Sequence, residues 1–473
     1  MKKIVISRFL VFIWATLFSQ NLLSAPLIVN IDNPEFRKTV TALPPFIVCP
    51  SLEEEKELAL RYAEEGAKEL TYLLGFTGLF NNIAPAAYKE PFEALTKKEC
   101  QGSGPSFFGS KDVEHVSHWK SIGVESLTVG KVIGSKDGLV LEIRTMDVHR
   151  RQILLGKRYG NIDPLDFKKV MRRYANLLLE VYSGKPGIFS SKITFVGKKN
   201  PQSQKQIYIS DFDGSNVTQI TSANVPHLSP HWSPDNRYIT YTSYEKGNPD
   251  LYLYDVETKK TKIISKYRGL NSGAQWAPSG KVLAYTGSKN GDSDIFYLNP
   301  FSGTRKRLIR GGGLDVDPTF SPDGKYLAFV SGRYGNPHIF LALLKWDTQQ
   351  SLRVVKDTRL TFAGWYNSTP AWSPDSKRIV FAGYDKDINR YDVFIMDRDG
   401  KNLERLTLKT GDNESPSFSP NGQHVIFQSN RVGDRNIKGP YQLWRMMRDG
   451  SSQVKVETGL YEAQTPHWSQ PGY

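Results

Sequence analysis

Short apolar runs recur at regular intervals through the chain from residue 186 onward. Runs such as 238–241 (YITY) and 282–285 (VLAY) are each followed, after a polar turn, by a second run such as 250–253 (DLYL). Apolar side chains are nearly continuous within each run, a pattern typical of strands that are buried on both faces. The pattern therefore predicts small sheets that are covered by neighbouring sheets.

An aromatic residue within a motif resembling Trp/Phe-Ser-Pro-Asp occurs six times in this part of the chain. Five of these six aromatic anchors are followed by both a first and a second apolar run. The motif recurs every 44 to 52 residues, and a period of this length with four strands per unit indicates the blades of a β-propeller. The Ser-Pro-Asp part predicts a turn that leaves the inner strand, because Pro presets φ and Asp bonds nearby backbone. The six aromatic anchors are Trp232, Trp276, Phe320, Trp372, Phe418 and Trp468.

The last anchor predicts how the propeller closes. Trp468 is followed by only a few residues, whereas the runs 193–196, 206–209 and 217–220 have no anchor before them. We expect the C-terminal strand to join these three runs and complete one blade. Residues 186–473 are therefore predicted to form an all-β six-bladed β-propeller without free sheet edges at its closure.

A smaller N-terminal α/β domain is predicted for residues 26–185. Three predicted strands cover 124–133, 139–148 and 152–159, between helical patterns on either side. One helix is expected behind Ser51, and another begins at Asp163-Pro164 and ends at Gly184. We expect one helix to face the sheet.

Residues 1–25 have the pattern of a secretory signal peptide. Lys2, Lys3 and Arg8 make a basic start, and a short apolar run at 9–18 is followed by small residues. Cleavage is expected after Ser24 or Ala25. No later stretch reaches about 18 apolar residues, so we expect an exported, soluble chain that does not span a membrane.

Charge and cysteines leave two questions open. The net charge of +14 is spread along the 473 residues, which favours a solvated basic surface, with attraction to an anionic envelope surface as the alternative. Nucleic acid is not an expected partner. Cys49 and Cys100 are the only cysteines, and they either pair as a disulfide or stay separate thiols.

Motifs for enzyme chemistry are missing from the sequence. It contains no Gly-x-Ser-x-Gly, no phosphate-binding glycine loop and no His-Glu-x-x-His. His115 and His118 have metal-ligand spacing but no third ligand nearby. His231 and His467 precede two anchors, where they would line a central channel. We therefore expect no catalytic residues, no metal and no cofactor.

The segments just before the anchors should cluster at one mouth of the channel, because each enters an inner strand. They carry acidic and aromatic side chains that suit a protein-docking surface on a rigid scaffold. These residues are Asp315, Asp317, Trp365, Tyr366, Asp412, Glu414, Tyr461 and Glu462.

The chain resembles the TolB family, the periplasmic component of the Tol–Pal envelope system. The resemblance is carried by the repeated anchors, by 206–214 (QIYISDFDG), by the final PHWS at 466–469, and in the N-terminal part by 28–32 (IVNID) and 122–130 (IGVESLTVG). It implies a non-catalytic periplasmic adaptor that maintains outer-membrane integrity and envelope constriction during division. It also implies two partners: a Pal-type lipoprotein at the propeller mouth and TolA of the inner membrane at the N-terminal segment.

The family's contact positions can be carried onto this sequence by alignment to the anchors. Those for the Pal-type lipoprotein are Leu270, Gly273, Val316 and Asp317, and Tyr366 and Glu414 of the mouth complete the predicted site. The family typically has a polar residue where Leu270 stands. The predicted TolA segment is short and β-prone, suited to adding a strand to a partner sheet; it consists of Pro26, Leu27, Ile28, Val29, Asn30, Ile31, Asp32 and Asn33.

Two other functions remain open on the sequence. One is an exported propeller enzyme or glycan-binding module that uses the central channel. The other is an exported scaffold that has lost the partners of the system.

Overall fold

The computed structural model describes residues 37–48, 53–88, 113–135, 138–289, 291–347, 351–432 and 435–472. The predicted signal peptide and the predicted TolA segment at 26–33 lie outside these ranges, as do Cys49 and Cys100. Those assignments therefore stay predictions.

The N-terminal domain is built on a six-stranded mixed sheet with the order β3-β1-β4-β5-β6, in which β2 also pairs with β4. Strand β1 pairs in parallel with β3 and with β4, and β2 pairs in parallel with β4, whereas β4, β5 and β6 form an antiparallel meander. The meander is the one predicted, with ends shifted by at most three residues. The strands are β1 (Thr39–Ala42), β2 (Ile47–Val48), β3 (Phe80–Asn82), β4 (Ser126–Ser135), β5 (Gly138–Asp147) and β6 (Gln152–Ile162).

Helices cover both faces of this sheet in the part of the chain that the structure describes. Helix α1 (Glu53–Phe76) and helix α3 (Phe167–Ser183) share one apolar core, so two helices lie on the face where one was expected. Helix α2 (Val113–Ser121) buries Trp119 in a second cluster. Short 3₁₀ turns cover Pro85–Tyr88 and Pro164–Asp166.

The last helix begins and ends through local chemistry. The Asp163 carboxylate accepts from the backbone N–H of Leu165 and so caps the 3₁₀ turn, and α3 begins only at Phe167. Gly184 ends the helix in a left-handed conformation (φ 66°), with its N–H donating to the Glu180 carbonyl. The predicted Asp163 cap is thus present, but it caps the 3₁₀ turn that precedes α3 and not α3 itself.

Six four-stranded antiparallel sheets follow, so the prediction of a six-bladed propeller is confirmed for the described residues. We number the blades from the first complete one. Blade 1 has β10 (His227–Trp232), β11 (Tyr238–Ser243), β12 (Asp250–Asp255) and β13 (Thr261–Ser265). Blade 2 has β14 (Asn271–Trp276), β15 (Leu283–Lys289), β16 (Asp292–Leu298) and β17 (Arg305–Ile309). Blade 3 has β18 (Asp315–Phe320), β19 (Tyr326–Ser331), β20 (His338–Trp346) and β21 (Leu352–Arg359).

The remaining blades repeat the pattern and close the ring. Blade 4 has β22 (Tyr366–Trp372), β23 (Arg378–Asp385), β24 (Arg390–Asp397) and β25 (Glu404–Arg405). Blade 5 has β26 (Asn413–Phe418), β27 (His424–Val432), β28 (Arg435–Met447) and β29 (Val454–Lys455). Blade 6 combines the C-terminal β30 (Glu462–Trp468) with β7 (Lys192–Lys198), β8 (Gln206–Asp211) and β9 (Thr218–Gln219), as the isolated anchor at Trp468 predicts.

In blades 1, 3 and 4 the Ser-Pro-Asp motif forms the turn that leaves the inner strand. In blade 4 the Ser373 hydroxyl donates to the Asp375 carboxylate (2.6 Å) and accepts from the Arg378 backbone N–H (2.8 Å). The same Asp375 oxygen accepts from the Lys377 N–H (3.1 Å). The polar side chains of the motif therefore hydrogen-bond the backbone N–H groups of the turn. The preceding Trp372 packs between blades 3 and 4.

The N-terminal domain packs on the propeller face that carries these turns. The carbonyl of Phe76, at the end of α1, accepts from His424 Nε2 (3.2 Å), and His424 directly follows the anchor turn of blade 5. Arg172 of α3 pairs with Asp211 at the end of β8 (2.7 Å). The segments that enter the inner strands lie on the opposite face, at the other mouth of the channel. The residues of the N-terminal domain that make these contacts therefore lie away from that mouth.

Across the described residues, no helix combines the length and the apolarity that crossing a bilayer requires.

Candidate functional site

Every inner strand carries the same bulge, three residues before its anchor. At this position the backbone is left-handed and the register with the next strand shifts. A proline follows the bulged residue in five of the six blades, and proline cannot donate to the ladder. The bulged residues are Ser229 (φ 52°), Gly273 (φ 63°), Asp317 (φ 51°), Thr369 (φ 47°), Ser415 (φ 51°) and Thr465 (φ 46°).

These six residues line a central channel with a cavity of about 630 Å³. A second ring, made by the residue just before each anchor, lies deeper in the channel. It consists of His231, Gln275, Thr319, Ala371, Ser417 and His467. Because the bulge turns each strand at the same point, the channel is lined by two rings of mostly small polar side chains.

The two histidines of the second ring meet in the channel. Their ring centroids are 4.7 Å apart with an edge-to-face arrangement, and His467 Nδ1 accepts from the Trp232 backbone N–H (3.2 Å). Burial lowers the pKa of both imidazoles, that of His467 to about 4, and the neighbouring His467 lowers that of His231 further. Both are therefore neutral at pH 7. Among the described residues there is no group of three or more His, Cys, Asp or Glu that could hold a metal.

The mouth of the channel carries an acidic and aromatic cluster on blades 3, 4 and 5, which we call the mouth cluster: Asp317, Tyr366, Tyr391, Glu414 and Tyr441. Tyr441 donates to Glu414 Oε1 (2.5 Å), and the rings of Tyr366 and Tyr391 lie edge-to-face at 6.3 Å. Asp317 Oδ2 accepts from the Thr369 backbone N–H (3.3 Å). Backbone and side-chain contacts therefore hold the cluster in a fixed shape.

The electrostatics of the mouth cluster oppose charge on its own carboxyls. Burial raises the pKa of Asp317 and of Glu414, and in Glu414 the hydrogen bond from Tyr441 works in the other direction. Burial also raises the pKa of Tyr366, and the nearby charges of Asp317 and Glu414 add to this effect. Among the described residues neither Asp317 nor Glu414 forms an ion pair, whereas Asp412 beside them pairs with Lys438 (2.8 Å).

The structure brings together three of the six residues predicted to contact a Pal-type lipoprotein, namely Asp317, Tyr366 and Glu414. Gly273 lies in the first ring of the channel on blade 2, and Leu270 is half-buried beside it, with its N–H donating to Ser288 Oγ (2.8 Å). Val316 instead packs partly buried against the core between blades 3 and 4. The predicted set therefore spans blades 2 to 5, with its polar members on blades 3 to 5.

Tyr391 and Tyr441 are members of the mouth cluster that the sequence reading did not single out. Each stands immediately before the second apolar run of its blade, at 392–395 (DVFI) and 442–445 (QLWR). The equivalent positions in blades 1, 2 and 3 are Pro249, Ser293 and Pro337. A comparison of the repeats at this position would have marked the tyrosines as particular to two neighbouring blades.

Comparisons with known proteins agree with this architecture. A family model described as the TolB beta propeller domain matches residues 179–471. A Tol-Pal system protein TolB from Xylella fastidiosa is 39% identical over 80% of this chain and 81% of its own length. A Tol-Pal system protein TolB from Desulfosudis oleivorans is 34% identical over 57% of this chain, and the match spans 56% of the length of that relative. The crystal structure of TolB from Acinetobacter baumannii is 25% identical, with a TM-score of 0.72, and the match covers 92% of this chain and 97% of that one.

Proposed function

Because this chain belongs to the TolB family of the Tol–Pal system, we propose that it is a periplasmic adaptor and not an enzyme. In this role it joins a Pal-type peptidoglycan-associated lipoprotein to a TolA-type inner-membrane protein. By holding the two together it supports outer-membrane integrity and envelope constriction during cell division.

The mouth cluster is the observation that carries the proposal. It lies on the propeller face away from the N-terminal domain, on strands whose hydrogen-bonded ladders fix its position. Tyrosines that present a large apolar ring and a polar tip are favourable anchors in protein interfaces. Two half-buried carboxylates that pair with no cation among the described residues add electrostatic complementarity to a basic group. We therefore assign Leu270, Gly273, Asp317, Tyr366 and Glu414 to the lipoprotein-binding surface, with Val316 as packing support beneath it.

The proposed TolA contact rests on residues 26–33. The segment LIVNI at 27–31 is β-prone, and a short strand of this kind binds by pairing with the open edge of a partner's sheet. The two proposed contacts then lie on different parts of the protein, which is what an adaptor between two membranes requires.

A pull-down from envelope extract tests the proposal. The exported protein is immobilised and the bound fraction is analysed for peptidoglycan-associated lipoproteins. Recovery of a Pal-type lipoprotein is expected, and deletion of residues 26–33 should leave that recovery intact while abolishing capture of a TolA-type protein. If wild-type protein recovers neither, the adaptor role is wrong.

The alternative of a channel enzyme or glycan-binding module is supported only by the channel cavity. A panel of peptidoglycan fragments in a thermal-shift assay separates the two functions. A saturable rise in the melting temperature that is lost in His231→Ala would favour the channel function, and no shift is expected for the adaptor.

A further inference from the structure

The net positive charge is less evenly spread than the sequence alone led us to expect, because more than half of it lies along the outer edge of two neighbouring blades. Residues 256–268 of blade 1 hold five basic side chains and one acidic, and residues 304–310 of blade 2 hold four basic and no acidic side chains. Together these 20 residues carry a net charge of +8 out of +14. We call this surface, residues 256–268 and 304–310, the basic rim.

Two of the rim's cations are used inside the fold. Arg307 pairs with Asp294 (2.8 Å), and the Arg305 guanidinium lies 3.8 Å from the centroid of Tyr267 and 3.7 Å from that of Phe296. The other seven have no acidic partner among the described residues, and each is exposed. These are Lys259, Lys260, Lys262, Lys266, Arg268, Lys306 and Arg310.

The two halves of the rim form one surface. Strands β13 and β17 are the outermost strands of adjacent blades, and Lys262 of β13 reaches across to donate to the Pro300 carbonyl of blade 2 (3.2 Å). Its ammonium also lies 5.3 Å from the ring centroid of Phe301. The exposed cations of the two blades therefore lie on adjacent outer strands that the Lys262 contact joins.

Single apolar side chains stand among these cations. Phe301 and Tyr267 are about half exposed (54% and 52%), and Ile263 is 37% exposed. Partly exposed rings and an aliphatic chain between long basic side chains suit the boundary between lipid headgroups and acyl chains, where the lysine stems lie along apolar surface and the ammonium groups reach phosphate. The mixture fits a broad anionic layer better than a narrow acidic peptide.

The position of the rim leaves the other surfaces free. The N-terminal domain contacts blades 5 and 6, through His424 and Asp211, on the face of the ring that carries the anchor turns. The mouth cluster faces along the channel axis, whereas the rim faces outward from it. A planar surface that meets blades 1 and 2 would cover neither.

We propose that the basic rim docks the protein on the surface of a lipid bilayer that contains anionic phospholipids. The contact is peripheral: lysine and arginine side chains neutralise headgroup phosphates, and Ile263, Tyr267 and Phe301 enter the headgroup layer. It goes beyond the adaptor role and does not depend on it, because no residue of the mouth cluster takes part.

Sedimentation with lipid vesicles tests the docking. The exported wild-type protein is mixed with vesicles of three parts phosphatidylethanolamine and one part phosphatidylglycerol, or with vesicles of phosphatidylcholine alone. Binding to the anionic vesicles is expected at low salt, with loss at high salt because the attraction falls off within a Debye length. Absence of binding to the anionic vesicles at low salt, or equal binding to both kinds, overturns the proposal.

A matched pair of variants locates the binding surface. The rim variant K260E/K266E/K306E/R310E reverses four exposed cations, and the control K325E/K377E/K401E/K409E makes the same change in net charge on blades 3 and 4. Each cation contributes about a fivefold gain in partitioning near an anionic surface, so roughly a hundredfold loss or more is expected in the rim variant and little change in the control. Equal losses in both variants overturn the rim as the site. Recovery of the Pal-type lipoprotein by the rim variant should be unchanged, and its thermal midpoint reports whether it is folded.

Discussion

The indole N–H of Trp468 donates a 2.8 Å hydrogen bond to the hydroxyl of Ser191, which lies 277 residues earlier in the chain. This bond lies beside the pairing of β30 with β7, in which Trp468 faces Ile193 and His467 faces Thr194. The propeller is therefore closed by a contact between its two ends, and the last blade depends on residues from both.

Removal of the closing strand should open the ring. Deletion of residues 462–473 takes away β30 and leaves β7 as an unpaired edge, which promotes association between chains. Loss of the buried Trp468 alone should cost about 3–5 kcal/mol of unfolding free energy. Light scattering should show oligomers of the truncated protein, whereas deletion of 471–473 should leave a monomer. A truncated protein that stays monomeric with an unchanged melting temperature would refute closure by β30.

The ion pair between the domains makes a second, pH-dependent prediction. Burial alone would raise the pKa of Asp211, but hydrogen bonds from Arg172, Lys192 and Asn216 outweigh it and lower the pKa to about 2. A carboxyl with a lowered folded-state pKa contributes stability that is present above its unfolded value near 4 and is lost as pH falls toward 2. Asp211→Asn should therefore reduce the unfolding free energy by about 1–2 kcal/mol at pH 7, with the difference shrinking below pH 4.

Chemical denaturation at several pH values measures this effect. Asp166→Asn is the matched control, because Asp166 pairs with Lys169 on the exposed surface (2.6 Å) and such pairs contribute at most about 1 kcal/mol. Equal losses in the two variants at pH 7 would show that the Asp211 pair does not stabilise the contact between the domains.

The architecture was predictable because its signals are local and repeated. Each blade carries its own anchor, turn and apolar runs, so the Ser373–Asp375 turn and the unmatched Trp468 can be recognised without knowledge of distant residues. The packing of the two domains has no such signal. Arg445 lies 3.8 Å from the centroid of the Phe76 ring and donates to the Phe76 carbonyl, across a sequence separation of 369 residues. Only the folded chain brings that arginine and that helix end together.

The candidate site was predictable in part for the same reason. Asp317, Tyr366 and Glu414 precede anchors, so the repeat pattern places them at one mouth. Tyr391 and Tyr441 enter the same cluster from the third strands of their blades, and their approach depends on how the blades are rotated against one another. The left-handed bulge at Asp317 or Thr369 has only an indirect signal, the proline that follows it in five of the six blades, because the bulged residue itself differs from blade to blade.

Ionisation of Glu414 should lower the unfolding free energy of the protein. Its folded-state pKa is raised by burial, so the folded protein holds the proton to higher pH than the unfolded chain does, and stability falls as pH rises from about 4.5 through the raised value. Glu414→Gln keeps an oxygen that accepts from Tyr441 and removes the charge. The variant should melt at a higher temperature than wild type at pH 7 and at the same temperature near pH 4. Glu404→Gln, on the exposed outer strand of blade 4, should change neither melting temperature; a drop for Glu414→Gln at every pH would contradict the expected cost of ionisation.

Asp317 gives the sharpest test of the mouth as a binding surface. Its carboxylate accepts from the Thr369 N–H and has no cationic partner among the described residues, so a basic group of a Pal-type lipoprotein would gain its full attraction. Asp317→Asn keeps an oxygen that accepts from the Thr369 N–H, and Asn tolerates the positive φ of this position. The variant should weaken binding of the lipoprotein several-fold. Asp317→Lys reverses the charge and should weaken it at least tenfold, or about 1.4 kcal/mol. Titration calorimetry with the purified lipoprotein measures both variants beside Glu404→Lys, an exposed reversal on the outer strand of blade 4 that should bind like wild type. Unchanged affinity in both Asp317 variants would remove this carboxylate from the site and leave the adaptor role standing, whereas failure of wild-type protein to bind the lipoprotein would remove the role itself.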